Sequence, residues 1–194
     1  MNDKLRKLLS NLETQCRSHD SADIPHARRY LNLEPATAEF VSLLIRIAGV
    51  RDVLEVGTSN GVSAIWIADA LSSTGGHLTS IERDDVKHRE AQANLAYVNL
   101  DRHVDLLIGD ATEIIRKLTG PYDCVFFDAD RITAPQQLEL LLPKLTRPAL
   151  LLADNVLSHP QEIAGYLAMI ATLPQASSSV LAVGKGLRIV HLAG

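Results

Sequence analysis

The chain reads as an α/β protein: a doubly wound, mostly parallel sheet of seven strands, with helices on both faces and an antiparallel hairpin at the C-terminus. Three observations predict it. Short apolar, β-branched runs alternate with longer amphipathic segments from residue 52 to residue 172, and strands alternating with helices form a parallel sheet covered on both faces. The first run, Val53-Leu54-Glu55-Val56, stops at Gly57, and an amphipathic segment opens at Gly61. That succession of strand, glycine turn and helix makes the nucleotide-binding corner of such sheets. Two final runs, 178–183 and 187–192, flank Gly184-Lys185-Gly186 as the strands of a hairpin.

In chain order, Leu5, Leu8, Leu9 and Leu12 fall at helical spacing and predict an amphipathic helix over 3–18. Residues 19–33 are mixed and polar, with Pro25. Glu34-Pro35 opens a second helix with Phe40, Val41, Leu44 and Ile47 on one face, ended by Gly49. Strands follow at 52–56, 77–81, 103–108, 122–127 and 148–153, and helices at 61–72, 84–98, 111–118, 135–145 and 160–172. No internal repeat, low-complexity tract or linker interrupts them, so residues 1–194 are expected to form one domain.

Composition narrows the class. With 194 residues, 46% of them hydrophobic, the chain can bury a substantial core. No apolar run approaches the roughly 18 residues that a membrane span needs. The opening Met-Asn-Asp-Lys-Leu-Arg-Lys lacks the apolar centre of a signal peptide. Cys16 and Cys124 are too few for a disulfide framework; free thiols and a cytoplasmic location are expected. A net charge of −4 argues against a general nucleic-acid binder. The local cluster Lys4, Arg6, Lys7, Arg17, Arg28 and Arg29 reads as a solvated face.

The glycine turn constrains the ligand. Gly57 and Gly61 are spaced GxxxG, which satisfies neither the Walker phosphate loop nor the dinucleotide GxGxxG pattern. A pyrophosphate needs the helix N-terminus brought close, whereas an adenosine ligand without phosphate needs only room beside the turn. Glu82, ending the second strand, is placed to hold its ribose. In doubly wound sheets ligands bind beyond the carboxyl ends of the strands. Those ends carry Glu55 with Gly57, then Glu82, Gly109-Asp110-Ala111, Asp128-Ala129-Asp130 and Asp154-Asn155. Any one of these acids could be a helix cap; five in succession beside a glycine turn point to a site. Asp128, Asp154 and Asn155 offer hard oxygens that suit Mg²⁺, Ca²⁺ or Mn²⁺, and no Cys/His cluster suggests zinc.

These motifs resemble the cation-dependent class I S-adenosylmethionine O-methyltransferases, the group containing catechol and caffeoyl-CoA O-methyltransferases. The similarity runs from about Leu31 to Leu192 and is densest in Leu54–Ser63, Tyr122–Asp130 and Asp154-Asn155. The resemblance implies a Rossmann-like methyltransferase fold, with residues 34–194 as cofactor-binding core and 1–33 as N-terminal helix and acceptor-side segment. It implies S-adenosyl-L-methionine as cofactor, with Glu55, Gly57, Thr58 and Ser63 around its methionine part and Ser59 and Gly61 in the same turn. Glu82 would take the ribose hydroxyls, Asp110 and Ala111 would lie by the adenine, and Asp128 and Asp130 would also face the cofactor. Asp128, Asp154 and Asn155 would hold the divalent cation, Mg²⁺ before Ca²⁺ or Mn²⁺. The expected substrate is a small hydroxylated aromatic, and the expected assembly is a homodimer without nucleic acid or membrane.

One departure bears on catalysis. The family usually has a lysine directly after Asp-Ala-Asp, credited with taking the acceptor's proton; here that position is Arg131. An arginine stays protonated, so it can stabilise a phenolate but not act as a base near neutral pH. His159 is the titratable candidate in its place, although it also stands where a helix would start before Pro160. Two further readings stay open: a methyltransferase of a hydroxylated tRNA base, and a non-catalytic S-adenosylmethionine-binding module.

Overall fold

Residues 1–194 are described by a computed structural model. The seven strands are β1 (Asp52–Val56), β2 (His77–Glu82), β3 (Val104–Ile108), β4 (Tyr122–Phe127), β5 (Leu145–Ala153), β6 (Ala176–Leu181) and β7 (Leu187–Leu192). They form one sheet in the order β3-β2-β1-β4-β5-β7-β6. Strands β1 to β5 pair in parallel, while β7 runs antiparallel to both β5 and β6. The expected doubly wound sheet with a C-terminal hairpin is therefore present.

The period of two in the strands divides the core into two layers. Val53, Cys124, Phe126, Leu150 and Leu152 face one side, where α1 (Asp3–Asp20), α2 (Pro35–Ala48), α3 (Val62–Thr74) and α4 (Asp85–Tyr97) pack. Leu54, Val56, Val125, Phe127, Leu151 and Ala153 face the other, under α5 (Ala111–Lys117), α6 (Ala134–Leu141) and α7 (Pro160–Thr172). Both faces of the central strands are thus apolar, as a covered parallel sheet requires. Glu55 shares the parity of Val53, so it points into the first layer, opposite Ser80 of β2. Cys16 and Cys124 are both free thiols, Cys124 buried in β4. No helix is long and apolar enough to cross a membrane.

Three local expectations are corrected. The buried face of α2 is Ala38, Val41, Ser42 and Ile45, while Ile47 is 74% exposed. This helix is apolar nearly all round, and small Ala38 and Ser42 let it approach α3 more closely than a Phe40 face would. The helix expected over 135–145 ends at Leu141, because Pro143 cannot donate a helical hydrogen bond; a single 3₁₀ turn follows, and β5 begins already at Leu145, opposite Tyr122. Strand β6 spans 176–181 rather than 178–183, since the chain turns from Val183, whose carbonyl accepts from Gly186 N at 2.9 Å. The polar stretch 19–33 carries one unanticipated 3₁₀ turn, His26–Arg28.

The strand order reverses between β1 and β4: successive strands leave β1 toward β3 on one side and β4 toward β5 on the other. The crevice outside the carboxyl ends at that reversal is where such sheets take their ligands. It lies between Gly57 and Asp128.

Candidate active site

Backbone proximity shapes the first half of the crevice. Asp128 N donates to Val56 O at 2.9 Å and Gly57 N to Ile81 O at 3.0 Å, drawing the ends of β1, β2 and β4 together. Gly57 has φ +102, and a Cβ there would stand 2.4 Å from the Asp128 carbonyl oxygen. Only glycine fits, by conformation and by space. Next to it, Thr58 and Ser80 join their hydroxyls at 2.5 Å, and Ser80 donates to Glu55 Oε2. An ionised carboxylate only accepts, so the hydroxyl protons run from Thr58 through Ser80 to Glu55.

Glu55 is fully buried, and its Oε1 has no partner within the protein. Burial pushes its carboxyl from the ordinary 4.5 up to about 7, against the lowering pull of the Ser63 and Ser80 hydroxyls; the charge of Glu82 adds to the rise. A folded-state value above the unfolded one means that the folded protein holds this proton more tightly. Stability therefore falls as pH climbs from 4.5 to about 7. Glu55→Gln is expected to remove about 3 kcal/mol of the decline in unfolding free energy between about pH 5 and about pH 8. Urea titrations of both proteins at the two pH values check this; equal declines contradict it.

Glu82 organises the turn itself. Its Oε2 accepts from Ser59 N at 2.7 Å, and its Oε1 from Arg83 N and Asp84 N at 2.9 and 2.8 Å. Ser59 Oγ in turn donates to Tyr30 O at 2.7 Å, tying the glycine turn to the N-terminal segment. Asp110 caps α5 through Glu113 N at 3.0 Å, and Asp130 accepts from Ile132 N at 3.0 Å. These acids do hold backbone ends, as single caps would, yet both also line the crevice.

Around these groups lies a cavity of about 460 Å³. Gly57, Thr58, Ser59, Ser63, Glu82, Asp110 and Ala111 line one part of it, and Asp128, Asp130, Arg131, Asn155 and His159 another. Glu55 and Gly61 lie behind its wall. Asp154 opens instead into a small adjoining recess that also contains Arg131. The cavity further takes in His26, Arg29, Tyr30, Asn32 and Lys185. Arg29 comes from the N-terminal basic cluster, of which Lys4 sits over the Tyr97 ring and Arg17 pairs with Glu13.

The second half of the site is a pair of acids. Asp154 is 6% exposed, and its Oδ1 has no hydrogen-bond partner. Asn155 adopts φ 65, a left-handed conformation that asparagine tolerates better than most residues, and its Nδ2 donates to Asp128 Oδ1 at 3.1 Å. Burial raises the Asp128 carboxyl well above the carboxylate range, and the charges of Asp154 and Glu55 push the same way. Burial raises Asp154 as well, opposed by the Asn155 N–H and the charge of Lys185. Two mutually repelling carboxylates, one with an orphaned buried oxygen, fit a hard cation. No three His, Cys, Asp or Glu side chains gather as a ligand set.

Arg131 is engaged: Nη2 and Nε reach Glu162 Oε2, on the first turn of α7, at 2.8 and 2.9 Å. His159 stands at the helix start that the sequence indicates. It is the residue before Pro160 at the start of α7, its Nδ1 lies 2.8 Å from Ser158 Oγ, and it lines the cavity. Sequence reasoning missed Lys185 and the Ser80 bridge. The signal for Lys185 was its position in the hairpin turn, because a strand antiparallel to β5 must start at the rim where β5 ends.

Known proteins match this chain in sequence and in fold. A protein-family model described as O-methyltransferase matches residues 21–190. A catechol O-methyltransferase of Niastella koreensis is 33% identical over 132 residues, covering 66% of this chain and 59% of that protein. One of Mycobacterium tuberculosis is 29% identical over 144 residues, covering 71% and 61%. The chain thus spans about three fifths of these curated relatives. Among solved structures, an O-methyltransferase from Bacillus cereus in complex with SAH superposes with a TM-score of 0.82 at 26% identity, covering 99% of this chain and 91% of that one. An O-methyltransferase from Streptomyces achromogenes, involved in tomaymycin synthesis and solved with SAM, gives 0.82 at 25% identity, covering 100% and 91%.

Proposed function

Because the chain belongs to the O-methyltransferase family whose model covers residues 21–190, we propose that it transfers a methyl group from S-adenosyl-L-methionine to a hydroxyl of a small catechol-like aromatic, with a divalent cation at Asp128, Asp154 and Asn155. One observation carries the reading. A single cavity joins the glycine turn braced by Glu82 to Asp128 and Asn155, so donor and acceptor halves meet at the sheet's switch point.

The residues divide the work. Gly57 lets the donor lie against the backbone, and Glu82 keeps lone pairs for the ribose hydroxyls. Glu55, where ionised, would attract the methionine ammonium from behind the cavity wall. A divalent cation held by the acids would fix two adjacent oxygens and lower the pKa of the attacking hydroxyl. In the transfer, the acceptor oxygen loses its proton and its lone pair forms the bond to the methyl carbon in line with the breaking C–S⁺ bond. The electrons of that bond return to sulfur, leaving a neutral thioether. Alignment supplies most of the acceleration, and the Arg131 guanidinium, fixed by Glu162, faces the developing phenolate.

His159 is the proton acceptor in this reading. His159→Ala is expected to abolish the rise of kcat/KM on the acidic side of its pH profile, with donor affinity unchanged; a superimposable profile removes His159 from the role. The donor assignment is tested by calorimetric titration with S-adenosyl-L-methionine and, separately, with NAD. Heat of binding with the first alone supports the reading. No heat with the first, or saturable binding of NAD, overturns it.

A further inference from the structure

Strand β7 is the one reversed strand of the sheet. Its reversal carries the turn 184–186 to the rim where β1 to β5 end. The turn is clamped there. Val156 N donates to Gly186 O at 3.0 Å, and Leu157 N and Ser158 N donate to Lys185 O at 3.0 and 3.3 Å, so the turn is bonded to the segment that follows Asp154-Asn155. On its other side, a Cβ at Gly184 would meet Glu34 Oε2 at 2.4 Å and Thr37 Oγ1 at 2.5 Å; one at Gly186 would meet Leu157 Cγ at 2.4 Å. The turn is thus wedged between the start of α2 and the acid-bearing loop, and only Lys185, between the glycines, carries a side chain there.

That side chain lines the cavity together with Asp128 and Asn155. Arg131 is bound to Glu162; Lys185 has neither an ion-pair nor a hydrogen-bond partner for its ammonium. The side chain therefore enters the cavity from the turn bonded to the loop that follows Asp154-Asn155, and its ammonium is bonded to no carboxylate.

We infer that Lys185 is a catalytic residue of the acceptor half, whose ammonium contacts the reacting oxygen of a catechol-type acceptor and stabilises it as the phenolate. The inference rests on the acceptor reading above and adds a residue from the opposite end of the sheet. Lys185 takes up no proton in the step: the hydroxyl proton leaves to His159, the oxygen lone pair attacks the methyl carbon as the C–S⁺ bond breaks, and the positive charge compensates the oxyanion before attack. Preorganised charge at a developing oxyanion is commonly the largest single catalytic contribution, and an unpaired lysine has its charge free for that use.

The test uses 4-nitrocatechol, whose phenolate absorbs in the visible, bound to the full chain with Mg²⁺ and S-adenosylhomocysteine. Its titration midpoint is read by absorbance in wild type, Lys185→Met and Lys185→Arg. Lys185→Met is expected to raise the midpoint by about half a pH unit or more and to lower kcat on unsubstituted catechol roughly tenfold or more. Lys185→Arg, which keeps the charge, restores both, and the S-adenosylhomocysteine affinity of all three proteins stays equal. A midpoint unchanged in Lys185→Met, or a loss that Lys185→Arg does not restore, overturns the role of Lys185 while leaving the acceptor reading standing. A wild-type chain that binds no 4-nitrocatechol overturns the acceptor reading, and the inference falls with it.

Discussion

Asp154→Ala is expected to lower kcat for methyl transfer by about a thousandfold or more while changing donor affinity less than about threefold. The asymmetry follows from where this carboxylate sits. Asp154 is buried in a recess beside the donor cavity, with an oxygen that no protein group satisfies, and its neighbours are Asp128 and Asn155 rather than the glycine turn. Removing it leaves Gly57, Ser63 and Glu82 untouched. Loss of folding does not confound the result. Burial raises the Asp154 carboxyl, so its charge at neutral pH opposes folding of the metal-free chain, and the thermal midpoint of the variant should not fall. Steady-state rates, calorimetry with S-adenosyl-L-methionine and a melting curve on the same preparation check the three parts. Retained turnover would remove the acid pair from the mechanism.

Gly57→Ala should produce the opposite pattern, lowering donor affinity by about a hundredfold or more and unfolding free energy by about 1–3 kcal/mol. A methyl group at this position would stand 2.4 Å from the Asp128 carbonyl oxygen and 3.0 Å from Ala129 Cβ, on a backbone with φ +102. Either the turn moves away from β4 or β4 moves with Asp128; both spoil the surface proposed for the donor. Calorimetry and urea denaturation read the two losses separately. An unchanged donor affinity would mean that the donor does not approach this turn.

Much of this arrangement was legible before any coordinates. The run Val53–Val56 with Gly57, and the strand–helix alternation after it, identify a covered parallel sheet, because a strand buried on both faces reads as a continuous apolar segment. The acids at strand ends were legible for the same reason: once the strands are parallel, their carboxyl ends share a rim. Other features depend on packing that a linear pattern does not carry. In α2, two apolar stripes compete, and the small residues of Ala38 and Ser42 decide between them only against α3. Asp154 opens into a small recess beside the main cavity, which its residue type alone does not reveal. The hairpin turn that holds Lys185 is legible in the sequence, but its arrival at the rim is a consequence of sheet order, in which β7 inserts beside β5. The basic residues near the N-terminus look like a cluster in sequence, yet Lys4 sits over Tyr97, Arg17 pairs with Glu13 and Arg29 lines the cavity.

The most direct measurement of the central claim is the mass of a catechol incubated with the protein and S-adenosyl-L-methionine, first with Mg²⁺ and then with excess chelator. The predicted result is gain of one methyl group with Mg²⁺, none with chelator, and recovery when Mg²⁺ is returned in excess. An unmodified catechol under all three conditions, or equal methylation with and without chelator, would contradict it.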